Sequence, residues 1–226
     1  MYNETGYIIF DTNIPSDLIY EVIRYSNSVL NDKVKRVQDA WKHNDGVKKL
    51  SLYPTIIQKI KEVYGKEPLP FQTLNFKVGT TQRIHSDTLH FHSYPPRNMC
   101  GVWVALEDIT EDNGPLFYYP KTHLEHCLTY RDLGLPEKHP ESYPAYEEFL
   151  QDMVERRGYE KKEAILKRGQ AIIWDANLLH GGSPIKNPEL TRYSQVTHYF
   201  FESEYYYTPA LSTQNQIAYR KPDWIK

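Results

Sequence analysis

Cysteine is scarce. Cys100 and Cys127 are the only two in 226 residues, so at most one bridge could form, and without a secretion signal the pair is expected to stay reduced. Long hydrophobic runs are missing as well. Runs such as AIIW at 171–174 fall far short of the roughly 20 apolar residues that a spanning helix needs. The start, MYNETGYIIFDTNIPSDL, lacks a basic segment followed by a long apolar one, so no signal peptide is expected. These absences point to a cytoplasmic protein with no membrane partner. Charge of one sign is not in excess either. With 27 Lys plus Arg against 29 Asp plus Glu, a net charge of −2 and no basic run, the electrostatic footprint of a nucleic-acid binder is missing. There are no internal repeats, low-complexity tracts or linkers, which fits one domain burying about 70% of its unfolded surface.

Aromatic residues are abundant: 19 Tyr, 8 Phe and 4 Trp, 14% of the chain. Such residues suit strands and the walls of a ligand cavity. Pro15-Ser16-Asp17 opens a segment with apolar residues at helical spacing (18, 19, 22, 23, 29 and 30, with a serine at 26), and Ser16 is the expected N-cap. A second helix is predicted from Pro54 to Gly65, with Ile56, Ile57, Ile60, Val63 and Tyr64 on one face. After Pro68 and Pro70 the pattern turns to strands: FQTLNFKV (71–78), RIHSDTLHFH (83–92), GVWVALEDI (101–109) and PLFYYP (115–120). Asn113-Gly114 is a turn signal that predicts a hairpin between the last two. A polar, proline-dotted interruption at 121–162 contains a predicted helix from Ala145 to Arg157. Its inward residues would be Tyr146, Phe149, Leu150, Met153 and Val154, with Gly158 closing it. Strands resume at EAIL (163–166), GQAIIWDA (169–176) and TRYSQVTHYFFE (191–202). Helices followed by many short strands fit a β-sandwich or barrel with packed helices.

Three of the nine histidines sit in RIHSDTLHFH. On a strand, His85 and Asp87 would share a face and could reach one metal ion. His180 in WDANLLHGGSP is the best third ligand: it would end a strand, and two glycines and a proline would let the chain turn away. Two histidines and one carboxylate leave three open positions, the facial arrangement used for non-haem Fe(II). Arg192 follows on an aromatic strand, sharing a face with Ser194, Val196, His198 and Phe200. With no acidic partner nearby in sequence, its planar fork suits a carboxylate. Taken singly, a lone HxD, a core histidine and an ion-paired arginine each have a bland structural reading. Their order and strand context favour the joint reading.

Four segments carry a family resemblance: HSD (85–87), VWVALEDITEDNGPLFYYPKTH (102–123), GQAIIWDANLLHGGSP (169–184) and TRYSQVTHYF (191–200). They resemble the phytanoyl-CoA dioxygenase (PhyH) family of Fe(II)- and 2-oxoglutarate-dependent oxygenases. The resemblance implies a mainly β chain with flanking α-helices around a double-stranded β-helix, a jelly-roll, cupin-like core. Residues 1–226 would form one dioxygenase domain. N-terminal helices at 16–65 would pack on barrel strands at about 70–120 and 163–202, with an insert or lid at 121–162.

By position, the resemblance makes His85, Asp87 and His180 the catalytic metal ligands. Arg192 would bind the distal carboxylate of 2-oxoglutarate, with Ser194 beside it. Gln82 matches a position that touches this co-substrate, although its strand parity is opposite to that of His85, so a bulge or twist would be needed. Trp103 would line the same pocket or be a plain core tryptophan. Leu116 would form an apolar wall, and Asn75 and Thr73 are further candidates from the preceding strand. His90, His92 and Tyr94 would lie on a loop near the mouth, the histidines bonding substrate or neighbouring loops, with a metal role as the lesser alternative. The insert and Tyr205–Tyr207 would supply a lid. Relatives usually carry a PGSH-like turn where this chain has PKTH (120–123), and Lys121 is expected to disfavour the glycine conformation. Asp87 stands where halogenating relatives have a small residue, which disfavours halogenation.

The implied activity is hydroxylation of an unactivated C–H bond in a small organic metabolite, using O₂ and releasing succinate and CO₂. Alternative outcomes of the same chemistry are desaturation, cyclisation or epimerisation. The non-enzymatic alternative is a module that binds metal or 2-oxoglutarate without turnover. A structural Zn²⁺ site would use four protein ligands, and a scaffold has no need of the Arg192 clamp.

Overall fold

The structure is a computed structural model that describes residues 2–31 and 33–226. Met1 and Asp32, inside the predicted domain, lie outside the described residues. In chain order, α1 (Tyr2–Thr5) and β1 (Tyr7–Asp11) precede α2 (Ser16–Val29), β2 (Arg36–Gln38), α3 (Asp45–Ser51) and α4 (Pro54–Tyr64). Then come β3 (Leu69–Phe76), β4 (His92–Tyr94), β5 (Met99–Ala105) and β6 (Leu116–Tyr118). Helix α5 (Ser142–Arg157) interrupts them before β7 (Lys162–Glu163), β8 (Gln170–Asp175), β9 (His180–Gly182) and β10 (Ser194–Phe200). Two short strands follow, β11 (Tyr205–Tyr207) and β12 (Tyr219–Arg220).

Among the described residues, six strands form the main antiparallel sheet in the order β1-β8-β5-β10-β3-β2. A second sheet, β7-β6-β9, faces it, and β12-β11-β4 forms a third. This is the predicted double-stranded β-helix with flanking helices. The main sheet is buried on both faces, so its strands alternate between two cores rather than between core and water. On the outer face Cys100, Val102, Val104, Ala171, Ile173 and Tyr199 pack against Leu18, Ile19 and Val22 of α2, Val47 and Leu50 of α3, and Ile56 and Ile60 of α4. On the inner face Trp103, Ile172, Trp174 and Val196 meet Leu116 and Tyr118 of the second sheet. Both cysteines are free. Among the described residues no helix is long and apolar enough to cross a membrane.

Several local expectations need correction. Ser16 is the first helical residue, and Pro15 occupies the N-cap with no side-chain cap bond. The Ser16 hydroxyl instead accepts from Arg168 at 3.4 Å. Phe149 is 42% exposed, while Tyr146, Leu150, Met153 and Val154 pack inward against Ile84, Leu89 and Leu179. The predicted hairpin at Asn113-Gly114 does not form. β5 pairs with β8 and β10, while β6 pairs with β7 and β9, so the turn carries the chain from one sheet to the other. The Asn113 amide still folds the corner, accepting from Thr110 N at 2.9 Å and donating to Thr191 O at 3.0 Å. Of EAIL only Glu163 lies in a strand, β7.

Lys121 adopts the glycine conformation after all, with φ 74° and ψ −13°. Its neighbours hold it there. Lys121 N donates to Thr5 O at 2.9 Å, and the Thr122 hydroxyl bridges Tyr119 O (2.7 Å) and Leu179 N (2.9 Å). A left-handed backbone strains any residue with a Cβ. Lys121→Gly is therefore expected to stabilise the protein by about 0.5–1 kcal/mol, net of glycine's larger unfolded-state entropy. That corresponds to a melting temperature higher by about 2 °C in a thermal unfolding scan.

Candidate metal centre and co-substrate pocket

RIHSDTLHFH is not a strand. His85 forms a single antiparallel bridge with His180, held by His85 N→His180 O at 2.9 Å and His180 N→His85 O at 3.0 Å. The chain then enters a 3₁₀ turn at Asp87–Leu89, with the Ser86 hydroxyl accepting from Thr88 N at 3.3 Å. Ser86 and Thr88 are tied to the Asn177 side chain at 3.2 and 3.1 Å. Turn and bridge together, rather than strand parity, bring the His85 and Asp87 side chains to one point. His180 begins β9 rather than ending a strand. Its two glycines admit the neighbouring segment instead of turning the chain away: a Cβ on Gly181 would lie 2.7 Å from Gln82 O and 2.5 Å from Phe117 Cζ.

The outcome is a buried trio whose donor atoms all lie within 4.8 Å of one another. His85 Nδ1 bonds Arg83 O and His180 Nδ1 bonds Leu178 O, both at 2.9 Å. A carbonyl at Nδ1 holds the proton there and leaves Nε2 with its lone pair facing inward, the usual second partner of a ligating histidine. Trp174 Nε1 donates to Asp87 Oδ2 at 2.8 Å. This leaves Asp87 Oδ1 for other partners. Burial pushes the Asp87 carboxyl up, but His180, His198 and His85 together with the indole bond hold it below the usual range, as an anion. Burial and the neighbouring His180 push His85 down to about 3. Burial pushes His198 down to about 4. A neutral His85 and an ionised Asp87 are the protonation states that a divalent cation requires of those two groups.

These groups open onto a cavity of about 1130 Å³. Arg192 reaches it from just before β10. Its guanidinium lies between the rings of Trp103 (5.3 Å) and Phe76 (5.6 Å). Nη1 donates to Gly114 O at 3.1 Å, while the buried Nε has no partner. Burial lowers its pKa to about 10, which leaves it cationic at neutral pH. Among the described residues no carboxylate lies within 4.0 Å of it. Glu107, the acid whose charge it feels, is engaged by the Thr191 hydroxyl at 2.8 Å and by Tyr193 N. A buried cation without a partner is costly, so the pocket is built for an anion.

Trp103, Leu116 and Gln82 lie on the cavity wall. Gln82 Nε2 sits 3.2 Å from His85 Nε2; irregular backbone removes the parity conflict. Thr73 and Asn75 are not on the wall. They face the helices, where Asn75 Nδ2 donates to Gln195 Oε1 at 3.0 Å and Gln195 bonds Ser51 at 3.1 Å. Their β3 neighbours Gln72, Leu74 and Phe76 take the wall positions. Ser194 is fully buried beside Arg192, its hydroxyl 3.4 Å from Arg192 O, and is also off the wall. The two further histidines separate. His90 lines the cavity with its ring 5.4 Å from Tyr143, whereas His92 is buried in β4, stacked on Tyr207 at 5.0 Å. The insert supplies wall residues Tyr130, Lys138, His139, Pro140 and Tyr143. Tyr205–Tyr207 do not reach the wall, and Thr208, Ala210 and Leu211 after them do. Trp174, His198 and Gln72 are site residues that the sequence reading left unassigned. A large residue opposite a small one marks Trp174, which pairs with Gly101 across β5 and β8. A Cβ on Gly101 would stand 2.2 Å from the indole.

A cupin-like cavity with a buried two-histidine, one-carboxylate cluster and an arginine unpaired among the described residues defines a class: the mononuclear metal oxygenase fold. The chain belongs to the phytanoyl-CoA dioxygenase (PhyH) family, whose sequence model matches residues 25–193. A relative from Dictyostelium discoideum, phytanoyl-CoA dioxygenase domain-containing protein 1 homolog, is 24% identical over 216 residues, covering 94% of this chain. The chain spans 66% of that relative's length and 60% of a Danio rerio relative's. In fold it is similar to the non-heme alpha ketoglutarate dependent epimerase SnoN from nogalamycin biosynthesis, with a TM-score of 0.73, 15% identity and coverage of 100% and 95% of the two chains. EctD from S. alaskensis, solved with 2-oxoglutarate and 5-hydroxyectoine, has a TM-score of 0.68 at 17% identity, covering 98% and 82%.

Trp174→Phe keeps an aromatic ring, though a smaller one, and removes the bond to Asp87. It is expected to weaken Mn(II) binding about 10–100-fold in a calorimetric titration, the usual cost of losing an outer-shell partner. Acid should destabilise the metal-free protein. His85 and His198 are held neutral when folded but take up protons near pH 6.5 when unfolded. Unfolding therefore binds protons, and stability falls as pH drops from about 6.5 toward 4, each histidine costing about 1.4 kcal/mol per pH unit. Urea denaturation across that range reads the slope.

Proposed function

We propose that this protein is an Fe(II)- and 2-oxoglutarate-dependent dioxygenase that hydroxylates an unactivated C–H bond of a small organic metabolite. The co-products would be succinate and CO₂. One observation carries the reading: three buried donors within 4.8 Å share a cavity with a buried guanidinium that has no counter-ion among the described residues. The donor set suits Fe(II): His85, Asp87 and His180 would hold it, and three protein ligands would leave its remaining positions to small molecules. When bound, iron would bring 2-oxoglutarate and O₂ together and supply the oxidant for C–H cleavage.

The chain's own groups do the binding and aiming. Arg192, fixed between Phe76 and Trp103, is placed to take the far carboxylate of 2-oxoglutarate by a charge-assisted, forked contact. Leu116 and Val196 complete an apolar wall, which keeps water from competing for that ion pair. Trp174 orients Asp87, and the carbonyls of Arg83 and Leu178 orient the two histidines. The primary substrate would occupy the remaining space, where His90, Phe91 and Tyr143 line the wall. Helices, barrel and insert would act as one domain, since the barrel supplies the donors and the insert part of the wall.

Anaerobic addition of Fe(II) and 2-oxoglutarate should produce a visible charge-transfer band, and O₂ should then yield succinate. Asp87→Ala is expected to abolish coupled turnover, and Arg192→Met to weaken 2-oxoglutarate binding at least about tenfold. Normal hydroxylation by the Asp87 variant with Fe(II) would sink the ligand assignment. A product that lacks an oxygen atom from ¹⁸O₂ would sink hydroxylation in favour of desaturation, cyclisation or epimerisation.

A further inference from the structure

The cavity wall is cationic in a chain whose net charge is −2. Among the described residues its charged members are Arg36, Lys138, Arg192 and Arg220 against Asp87 alone. Asp87 belongs to the metal cluster and Arg192 to the co-substrate pocket, which leaves three cations with no counter-ion among the described wall residues. Arg220 is the best built of them. It lies in β12, beyond the stretch matched by the family model. Its guanidinium sits 4.8 Å from the Phe91 ring centre. Nη2 donates to the Thr208 hydroxyl at 3.2 Å and to His90 O at 3.5 Å, and Nε is buried without a partner. Among the described residues no carboxylate lies within 4.0 Å. Asp39 is the acid whose charge it feels, and that carboxylate is already occupied by Thr73 N (3.2 Å), Trp41 Nε1 (3.3 Å) and Gln38 Nε2 (3.3 Å).

The two arginines stand toward opposite ends of the same strand. Arg192 packs on Phe76, the last residue of β3. Phe91, beneath Arg220, packs at 5.4 Å on Phe71 near its start, five residues or about 16 Å away along a strand. His198 lies between them, with Nδ1 3.1 Å from Gln72 Oε1 and Nε2 3.9 Å from Asp87 Oδ2. The metal cluster thus lies beside a strand whose two ends carry different guanidiniums, Arg192 at Phe76 and Arg220 by way of Phe91 at Phe71.

We infer that the primary substrate is an organic anion whose carboxylate or phosphate is held by Arg220, with its carbon skeleton over Phe91 and toward the metal donors. Arg36 and Lys138, exposed at the rim, draw it in electrostatically. Calling this anion the substrate rests on the dioxygenase reading; the anion site itself does not.

The test uses the full chain loaded with Zn(II) and saturating 2-oxoglutarate, so that Arg192 is occupied. Phenylacetate, phenyl phosphate and the neutral phenylacetamide are titrated by ligand-observed NMR. At least one anion should bind about tenfold or more tighter than the amide, as expected for a charge-assisted contact. Phenylacetate and phenyl phosphate tell a carboxylate site from a phosphate site. Arg220→Met should remove that preference while 2-oxoglutarate still binds, which also shows that the fold is intact, and Arg220→Lys should restore part of it. Equal affinity for anion and amide, anion binding that survives Arg220→Met, or no anion binding to the loaded protein each overturns the inference. Failure of the Zn(II)-loaded protein to bind 2-oxoglutarate would instead count against the dioxygenase reading. The anion titration would then be read in an Arg192→Met background, where Arg220 is the remaining arginine of the wall with a buried Nε.

Discussion

Two backbone hydrogen bonds between His85 and His180 are the constraint on which the centre depends. They join residues far apart in the chain and set their side chains next to each other before any metal is involved. Each neighbouring feature makes that bridge possible. Gly181 and Gly182 let the Thr81–Gln82 backbone come close, the β6–β9 pairing fixes His180 opposite Tyr118, and α5 packs against Ile84 and Leu89 on either side of the His85–Asp87 pair. A site assembled from rigid backbone pairing loses little conformational entropy when it takes up an ion.

The double-sided burial of the main sheet has a chemical consequence. Its outer face is committed to the helices through an apolar core and a buried Asn75–Gln195–Ser51 network. Its inner face is therefore free to carry costly polar groups around a cavity. Asp87, His198 and Arg192 would each be expensive to bury alone. Here Asp87 is held by an indole N–H and His198 by Gln72. Arg192 packs against two rings, donates Nη1 to Gly114 O and lines the cavity. Order on one face supports reactivity on the other.

Much of the site was legible from residue types and their order. His85, Asp87, His180 and Arg192 could be chosen because few side chains can ligate a metal or clamp an anion, and these four stood in strand-rich context. Strand parity does not position two of them: a turn aims Asp87, and His180 starts its strand rather than ending one. Parity did matter for Thr73 and Asn75, which alternate with wall residues on β3 and so face away. Helix α4 was legible to its ends, because Pro54 and Gly65 are both local signals. The Asn113-Gly114 hairpin was not, because a turn signal specifies a local bend and is silent on which sheet the chain joins next.

By itself the sequence determined what depends on neighbours along the chain: the helix at 54–64, the stop at Gly158, the run of strands, and the stock of metal-binding and anion-binding residues. Only the tertiary structure decided which residues meet. It placed Trp174 on Asp87, opened room for that indole at Gly101, separated His90 from His92, and set Arg220 across the cavity from Arg192. They follow from contacts between residues tens of positions apart, such as Trp174 with Asp87 and with Gly101. They arise from sheet order and the closure of one sheet over another, which no local pattern of side chains encodes.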